Sequence, residues 1–385
     1  MSESKSLNYL NLHVLISHSP ACLNRDDMNM QKSAMFGGVR RVRISSQSLK
    51  RAIRKSDYYR DYLGEPSVRT RDLKKLKDKF AQVPLLKEKY SRELIDEVID
   101  RIAGTGKFLD DKKKKDKNKG ESTKAERESQ AVAPWSVGEV DRICEIVSRA
   151  KEQGLDEKVI EKQVKEAARA LCETLAQCAL DIALSGRMAT SGLMNPVDGA
   201  LAVAHVITTH AVDSEVDWFT AVDDLTEEDN ETGAGHLNTQ EFGAGVFYRY
   251  ASLNIGQMRE SLGGASRQEV LDKAAHLLYL FSTIVPSAKQ NTFAAHNPAD
   301  LVLASFSAIP LSLANAFETP VRRDVRGGFI TPSIRSLETY LEKVHKGYGL
   351  TEASSVFSLW DTSFQPRMAS VIELMEWVRS DGGRP

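Results

Sequence analysis

Between Met28 and Ser56 the chain reads MNMQKSAMFGGVRRVRISSQSLKRAIRKS, which holds eight basic side chains (Lys32, Arg40, Arg41, Arg43, Lys50, Arg51, Arg54, Lys55) and no carboxylate. Uncompensated cations at that density suit a polyanion, because every phosphate they neutralise releases a condensed counterion. A merely solvated basic helix is the plainer alternative, but soluble surfaces usually intersperse both signs. The chemistry on offer is a grip on sugar-phosphate rather than the making or breaking of bonds.

Bond-breaking chemistry would need a proton carrier. His13 and His18 lie near the basic stretch, and RNA cleavage by a histidine is the competing reading. Neither has a carboxylate or lysine at helical or turn spacing to complete an acid/base pair, and His205 and His210, five apart, read as structural. Cys22, Cys144, Cys172 and Cys178 show no metal-ligand spacing and read as reduced thiols. From Asp213 to Glu231 the chain carries nine carboxylates and no cation, but not the pattern of a calcium loop. No metal, no cofactor and no catalysis are expected. Trp218-Phe219, in the middle of that acidic run, suits either a plug on another subunit or a wedge between bases.

These residues need elements to hold them. A strand over Val39–Ile44, entered through Gly37-Gly38, puts Arg41 and Arg43 on one face. Ser45 or Ser46 then caps a helix starting near Gln47. Leu49, Ala52 and Ile53 form its apolar stripe, while Gln47, Lys50, Arg51, Arg54 and Lys55 point away, and the helix N-terminus adds backbone amides suited to phosphate.

Around that corner the hydropathy pattern predicts strands at 10–17, 180–185, 243–254 and 300–307 and helices at 46–62 and 266–285, the last opened by a Ser266/Glu269 capping box. Residues 200–212 read as an extended or hairpin segment, and further helices are expected near Pro332–His345 and Met368–Arg379. The fold class is therefore α+β: a ferredoxin-like, RRM-like βαββαβ palm with two insertions. The palm's first half spans 1–62, helical fingers 63–178, a palm strand 179–186, a thumb-like loop 187–240, and the palm's second half with C-terminal helices 241–385. Within the fingers, 107–120 holds seven lysines and nothing apolar after Leu109, a composition that cannot bury itself. With 385 residues, a formal net charge of -1 and 41% hydrophobic residues, the chain can build its own core, and any polyanion site must be a local patch. No secretory signal or long apolar run is evident, so a cytoplasmic protein without a membrane span is expected.

The runs NLHVLISHSP (11–20), CLNRDDMNMQK (22–32), RVRISSQSLKRA (41–52), DIALSGRMATSG (181–192), VDWFTAVDD (216–224) and NPAD (297–300) resemble the CasC family, the backbone subunit of the type I-E CRISPR Cascade complex. The likeness spans nearly the whole chain; residues 107–133 depart from it in being longer and more charged. It implies several copies (six in the family) polymerised along a guide RNA (crRNA), together with other Cascade subunits and target DNA. Guide phosphates would be held by Arg25, Lys32, Ser45, Gln47, Lys50 and Arg54, alongside Arg41, Arg43 and Arg51 of the basic stretch, with Lys289 as a further palm contact. Met188, Trp218, Phe219 and Val222 would sit where a thumb kinks the guide, and Lys112, Lys113, Lys114, Lys115, Lys117 and Lys119 would be possible DNA contacts. Bases between kinks would stay free to pair, so that protein holds backbone and hybridisation reads sequence.

Overall fold

The computed structural model describes residues 7–104, 132–173, 179–188, 194, 196–213, 215–220, 237–286, 288 and 293–383. The chain forms two compact units: Met1–Tyr59 with Ala202–Asn254 and Leu271–Pro385, and Arg60–Leu201 with Ile255–Val270.

The first unit is built on one sheet. Its elements are strands β1 (Tyr9–Ala21), β2 (Ser33–Phe36) and β3 (Val39–Ile44), helix α1 (Ser46–Lys55), strands β4 (Val206–Thr208), β5 (Glu215–Thr220) and β6 (Leu237–Asn254), helix α2 (Arg267–Thr283), strand β7 (Leu301–Ser307), helix α3 (Ile330–Tyr348), strands β8 (Ala353–Ser358) and β9 (Arg367–Met368), and helix α4 (Val371–Arg379). The strands lie in the order β9-β8-β7-β1-β6-β4-β3-β2, with β5 against the first half of β6. Pairing is antiparallel throughout except between β8 and β9. Within it, β7-β1-β6-β4 with connecting helices α1 and α2 is the expected βαββαβ arrangement, and the α+β class stands.

One strand is not where the pattern put it. Residues 180–185 form a helix, Leu180–Ser185, in the second unit. Its first five residues are buried, and Asp181 accepts from the Ser67 amide and hydroxyl at 2.8 and 2.6 Å. A short run buried all round carries no period, so strand and helix look alike in sequence. The second palm strand is β4 instead, paired with β6 through Ile207↔Tyr248 and Thr208↔Phe247. The helix expected over 46–62 also divides. Ser56 is extended (ψ 150°), its hydroxyl donating to Ile53 O and accepting from Tyr59 N, so one serine ends α1 and starts the helix Asp57–Leu63.

Both faces of the sheet are covered. On one, Leu10, Leu12, Val14 and Ile16 are buried, and Arg249, opposite Val14, caps α2 by donating to Phe281 O and Ile284 O. On the other, Leu15, Tyr248 and Leu303 pack beneath Ile334, Leu337 and Leu341 of α3. Asn11 and His13 share that second face and are buried with partners: Asn11 Nδ2 donates to Ser307 Oγ at 2.7 Å, and His13 Nδ1 lies 2.8 Å from the Tyr248 hydroxyl. Since an unpartnered buried polar group costs about 1–3 kcal/mol, these bonds are what let β1 run through the core. The strand also passes His18-Ser19-Pro20 by a register shift rather than stopping there.

The second unit is mainly helical. Helices Leu73–Phe80, Arg92–Ala103, Val137–Glu152 and Glu157–Glu173 accompany a small ribbon of Val68–Thr70 with Ala133–Trp135. Their apolar stripes meet in a core that includes Phe80, Val98, Ile99, Val140, Ile143, Val147 and Val164. Asp72 and Ser91 cap two of the helices at their N-termini, and left-handed Gly104 closes the second.

Candidate nucleic-acid interface

The basic stretch folds as a hairpin followed by a helix. Gly37 and Gly38, at φ +60° and +74°, make the two-residue turn between β2 and β3, a geometry that costs glycine little. A Cβ on Gly37 would overlap the Glu318 carbonyl oxygen.

β3 does put Arg41 and Arg43 on one face, but with opposite fates. The segment around Phe317 lies over Arg41, which is fully buried and donates to Phe36 O (3.2 Å), Thr208 O (3.1 Å), Phe317 O (2.8 Å) and Glu318 O (3.4 Å). Arg41 is thus a strut between strand and loop, and the RNA contact expected of it has to compete with a guanidinium already engaged by four carbonyls. Arg40 is also engaged, paired with buried Glu241, which accepts from the Gln31 amide as well. Arg43, two residues beyond Arg41, is half-buried and pairs with Ile207 of β4.

Four of the expected residues are brought together by Asn24. Its side-chain oxygen accepts from Ser45 N at 2.7 Å and its carbonyl from Lys32 N at 2.9 Å, while Arg43 N donates to Lys32 O at 2.8 Å. Arg25 follows Asn24 in an exposed loop, its guanidinium donating to Asn29 Oδ1, and Asp26 pins that loop by accepting from the amides of Met28 and Met30.

Helix α1 begins beside them with an open end. Ser45 has the extended backbone of an N-cap, but its hydroxyl donates to Gln47 Oε1 at 2.7 Å instead of capping an amide. Ser46 N donates to His205 Nδ1 at 3.0 Å, and Leu49 N closes the first turn onto Ser45 O. The amides of Gln47 and Ser48 are therefore left without an acceptor among the described residues, at the positive end of the helix dipole. Leu49 and Ile53 are buried as the periodicity requires, Lys50 and Arg54 are half-buried, and Arg51 and Lys55 are exposed.

Asn24 and His205 are the members of this corner that the sequence did not reveal, because each reaches it only through long-range folding. His205 is exposed, and partial desolvation, then the Arg43 and Lys32 charges, hold its imidazole below the usual histidine value. His13, His18 and His210 are buried. Burial pushes His13 and His18 down to about 3, the latter assisted by Arg249 and opposed by its bond to Asn297. His210 stacks on Phe329 at 3.7 Å.

The expected kink residues are divided. Met188 is 87% exposed and lies in the second unit beside Arg187, which is ion-paired with Glu139 at 2.9 Å. Trp218 and Phe219 belong to the first unit, on β5, in register with Thr239 and Asn238 of β6, so this part of the acidic stretch is a ribbon rather than a loop. Val222, Lys289 and Lys112, Lys113, Lys114, Lys115, Lys117 and Lys119 lie outside the described residues. Cys22 and Cys144 are buried thiols outside any disulfide, and no group of metal-ligating side chains occurs among the described residues.

Comparison with curated protein sequences gives no match. Among solved structures, the chain is similar to one described as a CRISPR RNA-guided surveillance complex, pre-nicking, at 28% identity and a TM-score of 0.74, over 97% of this chain and 100% of that one. A second, described as a CRISPR RNA-guided surveillance complex, matches at 22% identity and a TM-score of 0.57 over 97% and 99% of the two chains, and shows the shared fold. The model of the CT1975-like proteins matches residues 10–378, from the first core strand to the last helix, and the chain belongs to that family.

Proposed function

We propose that this protein is a non-catalytic guide-RNA-binding backbone subunit of a Cascade-type CRISPR surveillance complex, of type I-E. Copies would lie side by side along the crRNA, hold its phosphates at the β3–α1 corner and leave bases free to pair with invading DNA. The observation that carries this reading is the corner itself. Asn24 ties Lys32 to the uncapped start of α1, Lys32 in turn holds the Arg43 amide, and the basic stretch that builds the corner contains no carboxylate. Such a site recognises the repeating sugar-phosphate and is indifferent to base identity. The likeness to a chain of an RNA-guided surveillance complex supports the same reading. Burial of His13 and His18 with neutral imidazoles speaks for a scaffold over a guide-processing endoribonuclease.

The test is charge reversal at Lys50 and Arg54, the two half-buried cations of α1. Lys50→Glu/Arg54→Glu abolishes RNA-dependent assembly in size-exclusion chromatography while the circular dichroism spectrum is retained. Unchanged assembly on guide RNA, or multiple-turnover cleavage of that RNA by the wild type, contradicts the proposal.

A further inference from the structure

His205 stands at the corner for reasons unrelated to its own strand pairing. It lies in the bend between Leu201–Val203 and β4, and its Nδ1 is 3.0 Å from Ser46 N. A backbone N–H donates, so Nδ1 must offer its lone pair, and the one proton of the neutral ring is on Nε2. The side chain is exposed, and nothing accepts from Nε2 among the described residues. The charged groups acting on it are Lys32, beside β2, and Arg43, on β3, both cations. A ring flanked by two cations, hydrogen-bonded to a helix N-terminus and carrying an outward N–H, is arranged for an anion.

We propose that His205 is a further member of the phosphate grip: a neutral imidazole that donates its Nε2–H to an RNA phosphodiester oxygen while its Nδ1 holds the first turn of α1. The inference rests on the RNA-binding reading and adds a directional contact to it. A neutral donor differs physically from its neighbours, because it strengthens the bound state without releasing a counterion. Lys32 and Arg43 set the salt dependence of binding, and His205 adds affinity at every salt concentration.

That difference is the test. Fluorescence anisotropy with a labelled guide RNA is run from low to high salt on the full chain and on His205→Ala, His205→Asn, Lys32→Ala and Arg43→Ala. His205→Ala weakens binding about tenfold, the scale of one hydrogen bond to a charged group, with the slope of log K against log salt unchanged. Lys32→Ala and Arg43→Ala each reduce that slope by about 0.7. His205→Asn, whose amide both accepts from Ser46 N and donates outward, recovers most of the affinity. Wild-type binding by His205→Ala, beside reduced slopes for the two cation variants, overturns the His205 assignment alone. A slope reduced in His205→Ala overturns the neutral donor. Equal losses in His205→Ala and His205→Asn, matched by equal drops in melting temperature, show a purely structural residue. Unaltered slopes in Lys32→Ala and Arg43→Ala overturn the RNA site itself.

Discussion

Arg41 and Arg43 are separated by one residue on one strand face, and the structure demands opposite phenotypes from them. Replacing Arg41 with alanine leaves four carbonyls without their donor, of which Thr208 O at 3.1 Å and Phe317 O at 2.8 Å are bonded in fully buried settings. A hydrogen bond from a charged donor is worth about 1.5–3 kcal/mol, so those two alone put the loss at about 3–6 kcal/mol. That is a large share of a total stability of about 5–15 kcal/mol. Arg41→Lys does not rescue, because one ammonium cannot fork between β2, β4 and the Phe317–Glu318 carbonyls as a guanidinium does. Arg43→Ala, at a half-buried site, stays within about 0.5 kcal/mol of wild type. Its effect is on RNA, as a salt slope lowered by about 0.7. Urea unfolding followed by near-ultraviolet circular dichroism reads the first effect, and anisotropy titrations across salt read the second. A stable Arg41→Ala that has lost RNA binding, or an Arg43→Ala that unfolds, refutes the division of labour drawn along β3.

Other perturbations follow from the same geometry. Gly37→Ala forces a side chain into a left-handed turn and onto the Glu318 carbonyl, and should cost about 1–3 kcal/mol in the same urea assay, whereas Gly38→Ala, with open space around it, costs less. His13 and His18 are held near 3 in the fold against 6.5 when unfolded, so the unfolded chain binds more protons below pH 6.5 and stability falls as pH drops. The contribution is complete well above pH 6.5 and lost progressively toward pH 3, about 3 kcal/mol for the pair between pH 6.5 and 5; an unfolding free energy that is flat over that range contradicts their neutral burial. Phe219→Ala weakens target-DNA pairing more than guide retention, measured as separate dissociation rates, and equal losses of both make the residue merely structural.

Much of this fold could be read in the sequence where period and burial agree. β1, β3 and β6 carry alternating patterns, α2 a capping box and β7 a continuous apolar run between loops, and each is found where the sequence pattern predicts it. The failures share a cause, in that distant parts of the chain decided them. Leu180–Ser185 is apolar enough for a buried strand and a buried helix alike, and the second palm strand is instead a three-residue segment, β4, too short to announce itself. Arg41 carries the same charge as Arg43 in sequence, and only the loop at Phe317, some 275 residues away, makes one a strut and leaves the other at the edge. The corner was legible as a run of cations without carboxylates, and the start of α1 as Ser45-Ser46, although the side-chain cap expected there is not made because the Ser45 hydroxyl turns to Gln47. Asn24 and His205 were not, since a single asparagine in a polar loop and a lone histidine in a bend give no local sign that they meet the same helix turn.

The proposed function requires a sugar-phosphate chain to lie across the β3–α1 corner. A cryo-electron microscopy reconstruction of the protein co-expressed with guide RNA tests it directly. Phosphates are expected within hydrogen-bonding distance of Lys32, Arg43 and the Gln47 and Ser48 amides, with nucleobases turned outward and several copies repeating the contact. A map in which that corner meets solvent or another protein surface, with the RNA held elsewhere, contradicts it.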